Sequence, residues 1–176
     1  NTNEIGRDLS RVNGTLQWGD LYRFSNGAQI GFKAQAFTDL FIIAQDTNYS
    51  TTQSAFSGAG AISLAWPLLA QNRSNQSIII EPVVQFEYAS QRDFSLPNEE
   101  SLYAEFDEAN LFELSRFPAP DRREVGFRAA TGLKFVSQTH DNAKLSAAIG
   151  QIYREKSEPD FSGSSGLQSQ TSDLLI

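Results

Sequence analysis

The chain has 176 residues and a formal net charge of -7, and 40% of its residues are hydrophobic, including 13 phenylalanines. This length suits one domain or part of one, and the hydrophobic content excludes a disordered chain. The acidic charge argues against nucleic acid as a partner, because nucleic-acid surfaces are basic. Cysteine is absent, which excludes disulfides, thiolate metal sites and a cysteine nucleophile.

Methionine is also absent, so residue 1 is not a natural translation start, and we interpret the chain as a fragment of a longer protein. No apolar run reaches the roughly 18 residues that a transmembrane helix needs, and the polar N-terminus lacks the apolar core of a signal peptide. A membrane β-barrel remains compatible with both observations, because its strands show only alternating hydrophobicity.

The first two predicted strands form a hairpin. Val12, Leu16 and Trp18 alternate with polar residues and predict a strand over residues 9–24. The pair Asn26-Gly27 that follows is a strong hairpin signal. The return strand, residues 28–45, is far longer than the roughly 5 to 6 residues typical of soluble proteins. Such a length suits a tilted strand that crosses a membrane.

The next two predicted strands are residues 58–70 and 77–90, after a Ser/Thr/Asn-rich loop over residues 46–56. A short polar turn separates these strands. In the fourth strand, apolar side chains hold the even positions from Ile78 to Tyr88, whereas Glu81, Gln85 and Glu87 hold odd ones. This alternation predicts a strand with one apolar face and one polar face.

A long acidic loop over residues 91–121 precedes the last two predicted strands, residues 122–138 and 143–155. Within the loop, Leu111, Leu114 and Phe117 have helical spacing, which predicts a short helix over residues 108–117 that packs on the barrel rim or wall. After the last predicted strand, which ends at residue 155, glycine and serine dominate until Thr171, where a further strand is expected to begin.

The connections between these strands alternate between short and long, as in outer-membrane barrels with short periplasmic turns and longer external loops. Aromatic residues near strand ends fit the interfacial girdles of such barrels: Trp18, Tyr22, Phe24, Trp66, Tyr88 and Tyr153. We therefore predict an all-β fold in which residues 1–176 form part of a single antiparallel transmembrane β-barrel domain. The alternatives are a TonB-dependent receptor type of barrel or a soluble β-sandwich binding module.

A string of motifs in the long loop and its flanks resembles the LptD family, the lipopolysaccharide-assembly outer-membrane proteins also called organic solvent tolerance proteins. The string begins at Ile80-Glu81-Pro82 and ends at Gly126-Phe127-Arg128. Its loop residues are Pro97, Asn98, Glu99, Asp107, Asn110, Leu111, Phe112, Arg116, Phe117, Asp121 and Arg122. Within this family, the sequence is similar to the members from alphaproteobacteria. It departs from the family pattern at Ala119, where glycine is expected, and at Glu100, where aspartate is expected.

The resemblance implies an interior part of a large barrel that inserts lipopolysaccharide into the outer leaflet of the outer membrane of a Gram-negative bacterium. It implies an LptE-type plug lipoprotein, a periplasmic lipopolysaccharide-bridge protein and outer-membrane lipid as partners. The bridge protein would act through a jelly-roll domain that this chain is expected to lack. The family resemblance implies neither a cofactor nor an enzymatic activity.

The charged residues on the polar strand faces are candidates to line the barrel lumen: Lys33, Asp39, Glu81, Glu87, Glu124, Arg128, Lys134, Lys144 and Arg154. Basic groups on this path would attract the phosphates of lipopolysaccharide. Pairing between opposite charges on neighbouring strands is the simpler interpretation for most of them. That Arg128 or Lys134 contacts lipopolysaccharide during transport stays a hypothesis.

No residue pattern indicates catalysis or metal binding. His140, the only histidine, lies in a predicted tight turn and has no partner for a triad or a metal cluster. The acidic loop lacks the spacing of a calcium loop. Glu99 and Glu100 are adjacent loop residues whose side chains are expected to diverge, which disfavours a glycosidase pair. We therefore assign no catalytic, cofactor-binding or metal-binding residue.

Overall fold

The computed structural model describes residues 8–44, 52–71, 77–91, 104, 106–117, 123–138 and 143–176. Its strands are β1 (Asp8–Arg23), β2 (Gln29–Ala44), β3 (Thr52–Ala65), β4 (Leu68–Gln71), β5 (Ser77–Ala89), β6 (Gly126–Gln138) and β7 (Lys144–Arg154). They form one antiparallel sheet in the order β1-β2-β3-β5-β6-β7, with β4 paired to β5. The predicted all-β antiparallel fold class is confirmed. No helix in the described ranges is long and apolar enough to cross a membrane.

The β1–β2 hairpin closes at the predicted Asn26-Gly27 turn. Gly27 has a φ of 86°, which a residue without a Cβ adopts at little cost. The Asn26 side chain accepts a hydrogen bond from the N–H of Ala28 at 3.1 Å, and the N–H of Phe24 donates to the carbonyl of Ala28 at 2.8 Å. The turn therefore fixes the register of a ladder that runs the full length of both strands.

The third predicted strand differs from the structure at both ends. β3 begins at Thr52, inside the predicted loop 46–56, because pairing with β2 continues as far as Ile42 and satisfies the backbone there. β3 and β4 keep one register against β5 but are interrupted between Ala65 and Leu68. Pro67 lies within this break, and Pro82 faces it from β5, where its carbonyl accepts from the N–H of Trp66. Proline has no N–H to donate to the ladder.

The fifth predicted strand also begins later than expected, since β6 starts at Gly126 rather than near residue 122. Gly126 has a φ of 83°, a conformation that interrupts an extended strand. Glu124 therefore precedes the strand instead of occupying its polar face, and this corrects the sequence-based assignment of Glu124 to a strand.

The two faces of the sheet differ sharply in chemistry. The face that we call the bare face exposes large hydrophobic side chains, including Leu16, Trp18, Phe56, Phe86 and Tyr88, which are between 46% and 73% exposed. The opposite face, the polar face, carries one row in which Lys33, Ala61, Glu87, Arg128 and Arg154 lie opposite one another on successive strands. The buried hydrophobic core lies on the polar face.

Candidate functional site

Residues 106–117, which we call the inward segment, pack onto the polar face of β5, β6 and β7. Leu111, Phe112, Leu114 and Phe117 are at most 9% exposed. Residues 155–176, the tail segment, complete the cover, and the ring of Phe117 stacks on Phe161 with centroids 4.2 Å apart. The described part of the acidic loop therefore lies against the sheet and buries apolar side chains there.

The inward segment consists of turns, so the predicted helix over residues 108–117 is wrong. One carboxylate oxygen of Asp107 accepts from the N–H groups of Ala109 and Asn110 at 2.9 and 3.0 Å. Further along the segment, backbone carbonyls accept hydrogen bonds from side chains and not from the N–H groups of a helix. The carbonyl of Phe112 accepts from Lys33 at 3.2 Å and from Gln85 at 3.1 Å. These bonds to the sheet replace helical hydrogen bonds.

Two glycines that face each other on β6 and β7 make room for Leu111. Gly132 pairs with Gly150, and a Cβ on Gly132 would lie 3.0 Å from the Leu111 side chain, while one on Gly150 would overlap it. Leu111 is fully buried against them. We call this pair of glycines the glycine socket. It explains why the polar face lacks side chains at the point where the inward segment approaches most closely.

A buried cluster of charges fastens the inward segment to three strands. Arg116 Nη2 lies 2.8 Å from Glu87 Oε1 on β5, and Arg116 Nη1 lies 3.1 Å from Glu124 Oε1. Arg128 Nε on β6 donates to Glu87 Oε1 at 3.2 Å, and Arg154 Nε on β7 donates to Glu124 Oε2 at 3.0 Å. We call these five residues the ionic cluster. Each of their side chains is at most 3% exposed.

Glu124 and Arg116 stay charged within this cluster. Burial by itself raises the pKa of Glu124, but Arg116, Arg128 and Arg154 outweigh burial and hold this pKa below its ordinary value. Burial by itself lowers the pKa of Arg116, but Glu124 and Glu87 hold it above its ordinary value. Because the charges are desolvated, the attraction between them is stronger than between exposed residues.

Asp39 lies in a second, smaller cluster on the polar face of β2. Its carboxylate contacts Arg11 of β1 at 3.2 Å and Arg123 at 3.1 Å. The Arg123 guanidinium also lies over the Phe37 ring, 3.8 Å from its centroid. Arg123 comes from the segment that precedes β6, so this cluster ties that segment to the first hairpin.

The remaining candidate lumen residues are more exposed. Lys134 and Glu81 are opposite each other on β6 and β5, with their charged atoms 3.9 Å apart. Lys33 lies 3.8 Å from Glu113. Lys144 is exposed and forms no ion pair with any residue that the structure describes. The structure thus brings Glu87, Glu124, Arg128 and Arg154 together, and leaves the other five candidates outside the ionic cluster.

The motif residues of the long loop fall into two groups, those in the inward segment and those outside the described residues. Asp107, Asn110, Leu111, Phe112, Arg116 and Phe117 belong to the inward segment, whereas Pro97, Asn98, Glu99, Asp121 and Arg122 lie outside the described residues, as do His140, Glu100 and Ala119. Sequence reasoning missed Arg11, Arg123, Gln85 and the glycine socket as parts of the site. Alternation places Arg11 and Gln85 on the polar face, but no pattern in the sequence indicates the position of Arg123.

The arrangement suits a wall that is held rigid. In the described ranges, no group of three or more histidine or acidic side chains is arranged to hold a metal ion. Arg128, which is 1% exposed, donates to the carbonyl of Leu114 at 2.9 Å as well as to Glu87. Buried contacts of this kind, made to several partners at once, position a segment and are unsuited to binding and releasing a ligand.

Comparison with protein-family models gives a match over nearly the whole chain. Residues 10–176 match the family model LptD, LPS transport system D. No curated protein matches the chain. Since the match covers nearly the whole chain, the chain belongs to the LptD family, whose members serve lipopolysaccharide transport in the outer membrane of Gram-negative bacteria.

Proposed function

We propose that this chain is an interior stretch of the barrel wall through which an LptD-type protein translocates lipopolysaccharide and inserts it into the outer leaflet. The observation that carries this proposal is the contrast between the two faces of one long-stranded sheet. The bare face would contact membrane lipid, since a barrel strand presents alternate apolar side chains to the bilayer. The polar face would be turned to the lumen. Its candidate residues would line the lumen where they are exposed, as Lys33 and Lys134 are, and would hold the inward segment where they are buried, as Glu87 and Arg128 are.

The proposal includes the partners that the family implies. Lipopolysaccharide would pass along the polar face, and an LptE-type lipoprotein would fill part of the lumen. A periplasmic bridge protein would deliver the substrate through a jelly-roll domain outside this chain. The chain would carry no enzymatic activity, and its ionic cluster would serve to hold the wall together.

Two rival functions are less well supported. A soluble β-sandwich packs two sheets face to face and buries apolar side chains between them. In the described part of the chain, a single sheet leaves its apolar face exposed instead. A TonB-dependent receptor type of barrel would share the two-faced strands. The family match over residues 10–176 favours the LptD type instead.

Strand β1 allows a direct test, because both of its faces are exposed. Spin labels would be placed singly at Leu16 and Trp18 on the bare face and at Thr15 and Gln17 on the polar face of the full protein in bilayers. We expect oxygen to relax the labels at 16 and 18, and a water-soluble relaxation agent to relax those at 15 and 17. Depletion of the full protein should also stop lipopolysaccharide from reaching the cell surface.

Equal access of the water-soluble agent to both faces would show that β1 does not lie in a membrane, and the proposal would be abandoned. Normal surface lipopolysaccharide after depletion would contradict the transport function even if the strand crosses the membrane. A label at Phe86 on β5 provides a second bare-face position, with the expectation that it behaves like the label at Leu16.

A further inference from the structure

Two groups of largely buried charges on the polar face each contain one more positive than negative side chain. The ionic cluster has three arginines and two glutamates, and the group that we call the Asp39 cluster has Arg11 and Arg123 around Asp39. The Asp39 side chain is 1% exposed and the Arg123 side chain 10%. Buried positive charge is costly unless negative charge compensates it. Counted over the described residues, the two groups together lack two negative charges.

A small cavity joins these two groups. Arg123 of the Asp39 cluster and Glu124 of the ionic cluster both line it, together with residues of β2, β3 and the inward segment. Its volume is about 20 Å³, and about 10 to 15 Å³ is enough for one water molecule. The cavity therefore has room for one water molecule or one monatomic ion, but not for a phosphate group or a sugar.

Most polar groups that line the cavity are hydrogen-bond donors. Arg123 Nη2 is buried and has no hydrogen-bond partner in the described part of the chain. The hydroxyl oxygen of Ser90 accepts from the N–H of Gly58 at 2.9 Å, and that of Ser115 accepts from the N–H of Glu124 at 3.4 Å. Both hydroxyl protons are therefore left to donate elsewhere. The other uncharged polar side chains of the lining are those of Gln35 and Ser57.

Glu124 is the one carboxylate that lines the cavity among the described residues. Its Oε1 accepts from Arg116 at 3.1 Å and its Oε2 accepts from Arg154 at 3.0 Å, so its negative charge is matched within the ionic cluster. A water molecule in the cavity would accept hydrogen bonds but would bring no charge. A monatomic anion would accept hydrogen bonds and also compensate the excess positive charge.

We propose that this cavity binds one chloride ion, held by the Arg123 guanidinium and by the hydroxyl groups of Ser57, Ser90 and Ser115. The ion joins the inward segment, through Ser115, to the polar face of β3, through Ser57. It is a structural ion, buried between the segment and the sheet. The proposal therefore goes beyond the proposed function and holds whether or not lipopolysaccharide passes along the polar face.

Thermal unfolding of the full protein in detergent tests the site, in sodium chloride, bromide or gluconate at constant ionic strength. Gluconate is too large for the cavity, so we expect only chloride and bromide to raise the unfolding midpoint, with saturation as the halide concentration increases. Ser57→Ala should raise the chloride concentration for half of this effect by about 2- to 10-fold, as for one neutral hydrogen bond. Arg123→Gln should abolish the effect. The matched control is Ser63→Ala, on the same face of β3 but outside the cavity.

Crystals of the full protein grown in bromide would locate the ion by its anomalous scattering. We expect a peak in the cavity beside Arg123. Water in the cavity, or bromide peaks on the surface alone, would mean an adventitious ion only and would overturn the proposal. A halide effect of equal size in Ser57→Ala and Ser63→Ala would be a general salt effect and would overturn it as well. If Arg123→Gln does not fold, the comparison of these two serine variants still decides the question.

Discussion

Among single residues, Glu124 is the carboxylate that holds most of the ionic cluster together. It contacts Arg116, Arg128 and Arg154, so Glu124→Gln would leave three buried arginines with Glu87 as their remaining carboxylate in the cluster. Removing one partner from a buried charge pair costs about 3 to 5 kcal/mol, and we expect a loss of this size in the free energy of unfolding. Chemical denaturation of the detergent-folded barrel would measure it.

The control for this substitution is Glu113→Gln. Glu113 is 54% exposed and lies 3.8 Å from Lys33, and an exposed pair contributes about 0 to 1 kcal/mol. If both variants unfold at the same denaturant concentration, the ionic cluster does not stabilise the fold in the way that its geometry indicates.

Gly150 supports a second prediction at the same scale. A Cβ at this position would overlap the Leu111 side chain and lie 2.8 Å from the carbonyl of Thr131, so Gly150→Ala should destabilise the barrel by about 1 to 3 kcal/mol through overpacking. Gly60→Ala is the control, since its Cβ would lie 3.5 Å from the nearest atom. Combining Gly150→Ala with Leu111→Ala should cost less than the sum of the two single changes. Simple additivity would rule out the glycine socket.

At the scale of the element, the stability that the inward segment gains from Glu124 should depend on pH. The pKa of Glu124 is lowered in the folded protein, so its contribution to stability is complete above the ordinary glutamate pKa of about 4.3. This contribution is lost as the pH falls through the lower, folded pKa. Urea titrations from pH 7 downward should show the wild type losing its advantage over Glu124→Gln below about pH 4. A gap that stays constant with pH would contradict this coupling.

Alternation in the sequence located the strands because each strand keeps one apolar and one polar face, and it placed Glu87 and Arg128 correctly on the same side. It could not locate the inward segment. Lys33 bonds the carbonyl of Phe112 across 79 positions, and no local pattern encodes such a contact. The helical spacing of Leu111, Leu114 and Phe117 reflects burial. The carbonyls of Leu111 and Leu114 accept from the side chains of Arg116 and Arg128 instead of from helical N–H groups.

At the scale of the whole molecule, the described part of the sheet has one uncovered apolar face and one unpaired edge. The bare face exposes large apolar side chains on every long strand, and no strand in the described ranges pairs with the outer edge of β1. The outer edge of β7 is partly satisfied by the tail segment, through bridges from Gly150 to Leu175 and from Tyr153 to Thr171. The polar face of β5 to β7 is therefore covered, whereas the bare face and the outer edge of β1 have no partner in the described ranges.

For this reason we expect the isolated chain, residues 1–176, to depend on detergent or to associate with itself when it is purified alone. The open edge of β1 can form backbone hydrogen bonds with a strand of another chain. Contact of the bare face with detergent or with another chain is favourable because it buries apolar area. Light scattering coupled to size-exclusion chromatography, with and without detergent, would measure the mass of the particle. Substituting Leu16, Trp18 and Phe56 by serine should reduce self-association by removing apolar area, whereas serine at Asn13, Thr15 and Gln17 should not. A monodisperse monomer of the unsubstituted chain in plain buffer would contradict both the open edge and the lipid-facing role of the bare face.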